Sequence, residues 1–295
     1  MDTFDKNQIL FLPSTSEGSF TDLDQLFSCV TEVTLSSEVV LNMERTGFIT
    51  PSRAVGLVLA CRYVCSIAKK KVLLRNIPRD VQKYLLRMDI PVGAREWIEI
   101  ENLGTDEWAR NPQTTQLLEM TRIGSTSDVE HAIERTGNIF SPWLNKDSLN
   151  SLLSSLSELC SNIYQHSTDP NGIVLIQKYE KQSLNVVNVQ VAVGDLGCGI
   201  QGSLELRYGP IADNAVEYLK LAMEGKSARN TGRGGLGLRR VEQILQENRG
   251  SIYLRSHDAA ILSHYKTGRV FTSGNVFFPG TQIALGLNFP LLQDS

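Results

Sequence analysis

Cysteine is scarce and unpaired in this chain: Cys29, Cys61, Cys65, Cys160 and Cys198 are the only five in 295 residues. An odd number scattered over the chain with no C-x-x-C framework suits a reducing cytosol. Cys61 and Cys65 share a helical face at i,i+4, but no second His or Cys pair stands nearby to complete a zinc site. They read as small buried hydrophobes. Basic excess is missing too. Lys and Arg number 29 against 32 Asp and Glu, a net charge of -3, and Lys69-Lys70-Lys71 is the sole basic run. That run reads as a solvated helix end, so no footprint for a nucleic-acid backbone is expected. The longest apolar stretch, Ala54 to Ala68, is interrupted by Arg62 and is too short to span a bilayer, so no membrane association is expected. Met1-Asp2-Thr3-Phe4-Asp5 is acidic where a secretory leader would be basic and then apolar. The expected location is cytoplasmic.

What is present is a globular composition, 41% hydrophobic and 21% charged, in a chain long enough for two domains. Val39-Val40-Leu41-Asn42-Met43 predicts a buried strand, Pro51 to Lys70 an apolar helix, and Lys71-Val72-Leu73-Leu74 another strand. Pro78-Arg79-Asp80 opens a helix containing Val81, Tyr84, Leu85 and Leu86. Strand, helix and strand with a short crossover predict a parallel pair in an α/β layer. The pattern weakens between about 100 and 147, where Asn111-Pro112 and Gly124-Ser125-Thr126-Ser127 punctuate it, although Asp128 to Phe140 reads as helix. A domain boundary is placed near residue 110, giving domains 1–110 and 111–295.

In the second domain Asp147 or Ser148 is the expected cap of a helix reaching His166, with apolar positions Leu149, Leu152, Leu153, Leu156, Leu159 and Ile163. Asp169-Pro170-Asn171-Gly172 is a turn between that helix and strands at Ile173 to Tyr179 and Val186 to Val193. Helices are expected at Ala212 to Met223 and Gly235 to Asn248, joined by a charged, glycine-bearing loop. Strands at Ile252 to Arg255, near Val270 to Phe271 and at Thr281 to Asn288 complete a largely antiparallel α+β layer.

Four short motifs carry the chemistry. Glu158 and Asn162, four residues apart, project from one helix face and pair a proton-accepting carboxylate with an amide oxygen able to ligate magnesium. Taken alone, the pair also fits an exposed polar stripe. Asp195 ends a strand before Gly197 and Gly199, where the backbone can approach a ligand and the carboxylate can accept an exocyclic amine such as that of adenine. Gly232-Arg233-Gly234-Gly235-Leu236-Gly237 leads into a helix whose free amides and dipole suit phosphate, with Lys226, Arg229 and Arg233 adding charge. No Lys-Ser or Lys-Thr follows, so this is not a P-loop. Gly280-Thr281 comes last.

Together, in this order, the motifs resemble the ATP-binding domain of gyrase, heat-shock chaperones, histidine kinases and mismatch-repair ATPases, the GHKL or Bergerat superfamily, over roughly residues 125 to 290. The resemblance implies a Bergerat-type sandwich binding ATP and Mg2+. Glu158 would be the catalytic base, Asn162 the metal ligand and Asp195 the adenine acceptor, with His166, Gly197, Gly199, Lys226, Thr281 and the glycine-rich segment Gly232 to Gly237 around the nucleotide. The loop between about 201 and 233 would close over it. The spelling from Ser157 to Ser167 looks most like anti-sigma-factor serine kinases and histidine-kinase catalytic domains. His131-Ala132-Ile133-Glu134 does not supply the phosphoacceptor pattern of the latter. Residues about 5 to 100 are similar to the STAS fold, with Ser52 at the position of a phosphoacceptor at a helix start, although Thr50 and Arg53 depart from the usual neighbours. Three functions follow from the resemblance: an ATPase or kinase that couples nucleotide state to signalling, a serine/threonine kinase of partner-switching type acting on a STAS protein, or a nucleotide-sensing module with little turnover. A protein partner through the STAS-like domain and a homodimer are compatible with all three.

Overall fold

The computed structural model describes residues 8–11, 21–34, 38–103, 116–181, 186–228 and 237–290. The chain divides into two compact units, Met1–Pro112 and Gln113–Ser295, both mixing helices with strands.

The first unit runs β1 (Gln8–Phe11), α1 (Thr21–Thr31), β2 (Val39–Asn42), α2 (Pro51–Ala68), β3 (Val72–Arg75), α3 (Arg79–Arg87), α4 (Ile90–Gly93) and β4 (Ile98–Ile100). Its four strands pair in sequence order and all in parallel, as crossovers made of helices require. Helix α2 is buried on most sides, and the Arg62 guanidinium is accommodated by lying 4.8 Å over the Trp97 ring. Thr50 caps α2 by accepting from the Arg53 amide, and Pro51 fills the first helical position, where a missing N–H costs nothing. Ser52 stands in that first turn, half-buried, with its hydroxyl 2.9 Å from Thr50 Oγ1. At the other end Lys69 takes a left-handed conformation and Lys69 to Lys71 are exposed, the solvated helix end read from the sequence. Cys61 is buried, and desolvation holds its thiol far above the ordinary range. No metal-holding cluster occurs among the described residues.

The second unit is built on a five-stranded antiparallel sheet in the order β5-β6-β7-β9-β8, comprising β5 (Leu117–Ile123), β6 (Gly172–Lys181), β7 (Val186–Gly194), β8 (Ser251–His264) and β9 (Arg269–Pro290). Helices α5 (Thr126–Phe140), α6 (Lys146–His166), α7 (Gly199–Tyr208), α8 (Ala215–Met223) and α9 (Gly237–Glu247) complete it. Leu152, Leu156 and Ile163 of α6 share one core with Val189 of β7, Ile244 of α9 and Leu285 of β9. Each such side chain contributes about 1.5–3 kcal/mol of burial.

Several expectations are corrected here. The cap of α6 is Asn145, whose Oδ1 accepts from the Ser148 amide, rather than Asp147 or Ser148. The segment 201–233 is not a loop throughout: Gly199–Tyr208 is helix α7, which was not expected, while the expected helix at Ala212 to Met223 is α8 and starts at Ala215 behind an Asn214 cap. The strands expected at Ile252 to Arg255 and near Val270 are parts of a long hairpin, β8 and β9, bulged at His257. Strand β5 was not foreseen. It buries Glu119 against Arg135, 2.6 Å away, which keeps a charge among the buried residues Leu117, Leu118 and Met120.

Candidate functional site

The site is assembled where β7 ends. The Asp195 amide donates to the Thr281 carbonyl, which continues the pairing of β7 with β9 by one residue, and the side chain is then 3% exposed. Asp195 Oδ1 accepts from the Gly197 amide at 2.8 Å, Asp169 Oδ2 from the Leu196 amide at 2.8 Å, and the Ser167 carbonyl from the Cys198 amide at 2.8 Å. The loop after β7 is therefore tied both to itself and to the turn that follows α6. This tying requires close backbone approach. A Cβ on Gly197 would run into the Ser167 carbonyl, and one on Gly280, at φ +83°, into the Asp195 carbonyl. Their place in the sequence pattern has a packing cause.

Ser256, at the bulge of β8, ties the far side: its hydroxyl accepts from the Ile200 amide at 2.9 Å and donates to the Gly280 carbonyl at 3.2 Å. Thr281 Oγ1 lies 3.3 Å from Ser256 Oγ. Sequence reasoning gave Asp169, Ser256 and His257 no part in the site, because a polar residue in a turn or a bulged strand carries no periodic signal. The Asp169-Pro170-Asn171-Gly172 turn did mark the place of the first.

From α6 come Glu158 and Asn162. Leu152, Leu156, Leu159 and Ile163 anchor the helix in the core and leave the Glu158–Asn162 stripe half-buried beside them. Asn162 lines a cleft together with His166, Asp195, Gly199, Lys226, Gly237 and Thr281, while Leu159, Ile163, Ile200, Leu204, Leu238 and Ile283 give it apolar walls. Its atom-free space, with the solvent-open mouth included, is about 770 Å³. Glu158 stands at the Gly237 side, its Oε2 2.7 Å from where a Gly237 Cβ would be. Gly197 braces the loop and does not line the cleft. Ser52 belongs to the other unit, and Gly232, Arg233, Gly234, Gly235 and Leu236, with Arg229, lie outside the described residues.

Charge of both signs lines the cleft. The buried Asp195 carboxylate shares the lining with Val193 and Ile283, and Lys226 brings an ammonium, 4.5 Å over the Tyr208 ring. Cys198 donates its thiol to the His166 carbonyl at 3.1 Å, and burial, assisted by the Asp195 charge, pushes its pKa up, so it stays a thiol. Hydrogen bonds from Tyr218 and Gln201 hold Glu205 of α7 below the usual carboxylate range. Burial pushes His257 down, against an opposing pull from Asp258. The Asn162 amide oxygen and the Glu158 carboxylate are both hard-oxygen donors, and one or two such ligands suffice for a magnesium ion that also binds phosphate oxygens.

No protein-family model matches the chain, and no curated protein matches it. No helix among the described residues is long and apolar enough to cross a membrane.

Proposed function

We propose that the second unit binds Mg-ATP in this cleft and that the chain is a GHKL-type ATPase or kinase acting in the cytoplasm. The observation that carries the reading is the buried Asp195 carboxylate, held at the strand end by Gly197 and Thr281, on a largely apolar cleft that Asn162 and Lys226 also line. A planar base with an exocyclic amine suits the carboxylate. A polyanion suits the ammonium.

In this reading Asp195 accepts the adenine amine, a donor that guanine lacks there, and the apolar walls flank the base. Asn162 would hold the magnesium ion, which supplies neutralisation of the triphosphate charge. Glu158, one turn from Asn162, takes the proton from the attacking water or hydroxyl. Lys226 adds a positive charge on the phosphate side, and Thr281 with Ser256 keeps the Asp195 loop in register. The first unit is read as a STAS-like docking domain for a protein partner. Its Ser52 hydroxyl is engaged with Thr50, which favours a structural role at the start of α2 over that of phosphoacceptor.

Incubation of the full chain with γ-labelled ATP and magnesium separates the outcomes. Free labelled phosphate identifies an ATPase, label on protein a kinase, and binding without either a sensor. Absence of binding overturns the reading.

A further inference from the structure

We infer that Tyr208 is a positioning residue for the anionic end of the nucleotide, holding Lys226 and its neighbouring backbone ready at the cleft wall. The inference rests on the nucleotide reading above. Tyr208 is the last residue of α7 and is 39% exposed, so packing alone does not account for its size. Its hydroxyl donates to the Ser227 carbonyl at 2.8 Å, while the Lys226 ammonium lies 4.5 Å from its ring centroid. One side chain thus grips two consecutive residues of the segment that leaves α8.

Both gripped residues, and Ala228 after them, line the cleft. The ring-held ammonium is therefore already at the wall and need not be withdrawn from elsewhere when an anion enters. A lysine without such a contact samples many rotamers and loses that freedom on binding phosphate. The Lys226 amide is also fixed, donating to the Leu221 carbonyl at 2.8 Å, so backbone and side chain are ordered together. Arg207 approaches the same ring, its guanidinium carbon 5.1 Å from the centroid. Two cations gathered on one aromatic ring at the edge of a cleft make a local positive potential that favours an anionic group over a neutral one.

The role is tested by calorimetry on the full chain with two ligands, Mg-ADP and adenosine, which share the base and differ in phosphate. Tyr208→Phe keeps the ring and should bind Mg-ADP about threefold more weakly; Tyr208→Ala loses ring and hydroxyl and should bind it about tenfold more weakly. Adenosine affinity should be unchanged in both. In a Lys226→Gln background the Tyr208→Ala penalty should fall to less than half of its size in the parent, because the two residues act together. An equal loss of Mg-ADP and adenosine affinity would show that Tyr208 merely supports α7, and full additivity with Lys226→Gln would remove the link to the ammonium; either overturns the inference. A parent that binds Mg-ADP, with Tyr208→Ala indistinguishable from it, overturns this role alone. A parent that binds neither ligand overturns the nucleotide reading and this inference with it.

Discussion

Gly237 lies against Glu158: a side-chain carbon on the glycine would stand 2.7 Å from Glu158 Oε2, and 3.8 Å from Asn162 Nδ2. The first residue of α9 thus leaves room for the carboxylate that ends one turn before Asn162. Because the obstacle is the end of a side chain rather than backbone, a methyl group there displaces the carboxylate and leaves the fold. Gly237→Ala should lower ATP turnover about tenfold or more with a change in melting temperature of only about 2 °C. Glu158→Gln, which keeps the shape and removes the base, should lower turnover about a hundredfold while nucleotide binding persists. Turnover unchanged in both variants would place the base elsewhere.

Asp195→Asn tests the base-recognition end. The Asn oxygen can still accept from the Gly197 amide, so the loop should survive, but the amide nitrogen would face the adenine amine as donor to donor. ATP binding should weaken by about 2 kcal/mol, roughly thirtyfold. Equal affinity in parent and variant, measured by calorimetry, would show that the carboxylate does not read the base.

Gly280 and Gly268 separate close approach from backbone conformation. Both have positive φ, +83° and +66°, but a Cβ on Gly268 meets nothing within 4 Å whereas one on Gly280 meets the Asp195 carbonyl. Gly268→Ala should cost about 1 kcal/mol and Gly280→Ala about 3 kcal/mol or more in denaturant unfolding. Similar midpoints for the two variants would contradict the packing described around Asp195.

His257 gives a pH dependence whose sign is fixed by its burial. It sits at the β8 bulge against Gly199, its ring 4.9 Å from that of Phe277, and its pKa is lowered from 6.5, chiefly by desolvation and further by Arg255, against Asp258 and Glu205, which raise it. The folded state therefore binds this proton less readily than the unfolded chain. The stability is complete above about pH 6.5 and is lost as pH falls through the lower, folded value, by at most about 1.4 kcal/mol per pH unit. Melting temperature should drop more for the parent than for His257→Asn between about pH 7.5 and pH 5.5, Asn being suited to the positive φ of 55° there. Parallel curves would show that His257 titrates alike in both states.

Much of the second unit was legible because its sequence signals have simple physical causes. Leu152, Leu156, Leu159 and Ile163 repeat at helical spacing, and Gly197 and Gly280 mark places where backbone meets backbone. Helix α7 escaped notice because Gly199 and Gly202 lower its propensity and its Leu206 faces solvent, so no apolar stripe forms. Strand β5 was hidden by Glu119, whose burial makes sense only once Arg135 arrives from α5. The true cap, Asn145, was passed over because Lys146, the first helical residue, carries no periodicity. The joining of Asn162, Asp195, Lys226 and Thr281 around one cleft was expected from the resemblance, whereas Tyr208, Ser256 and His257 emerge only from tertiary contacts.

The most direct measurement is calorimetric titration of the full chain with Mg-ATP and, separately, Mg-GTP at the same ionic strength. The cleft as described should bind Mg-ATP at least about tenfold more tightly than Mg-GTP, because a guanine carbonyl would face the Asp195 carboxylate. Equal affinities, or no heat of binding with either nucleotide, would contradict the account.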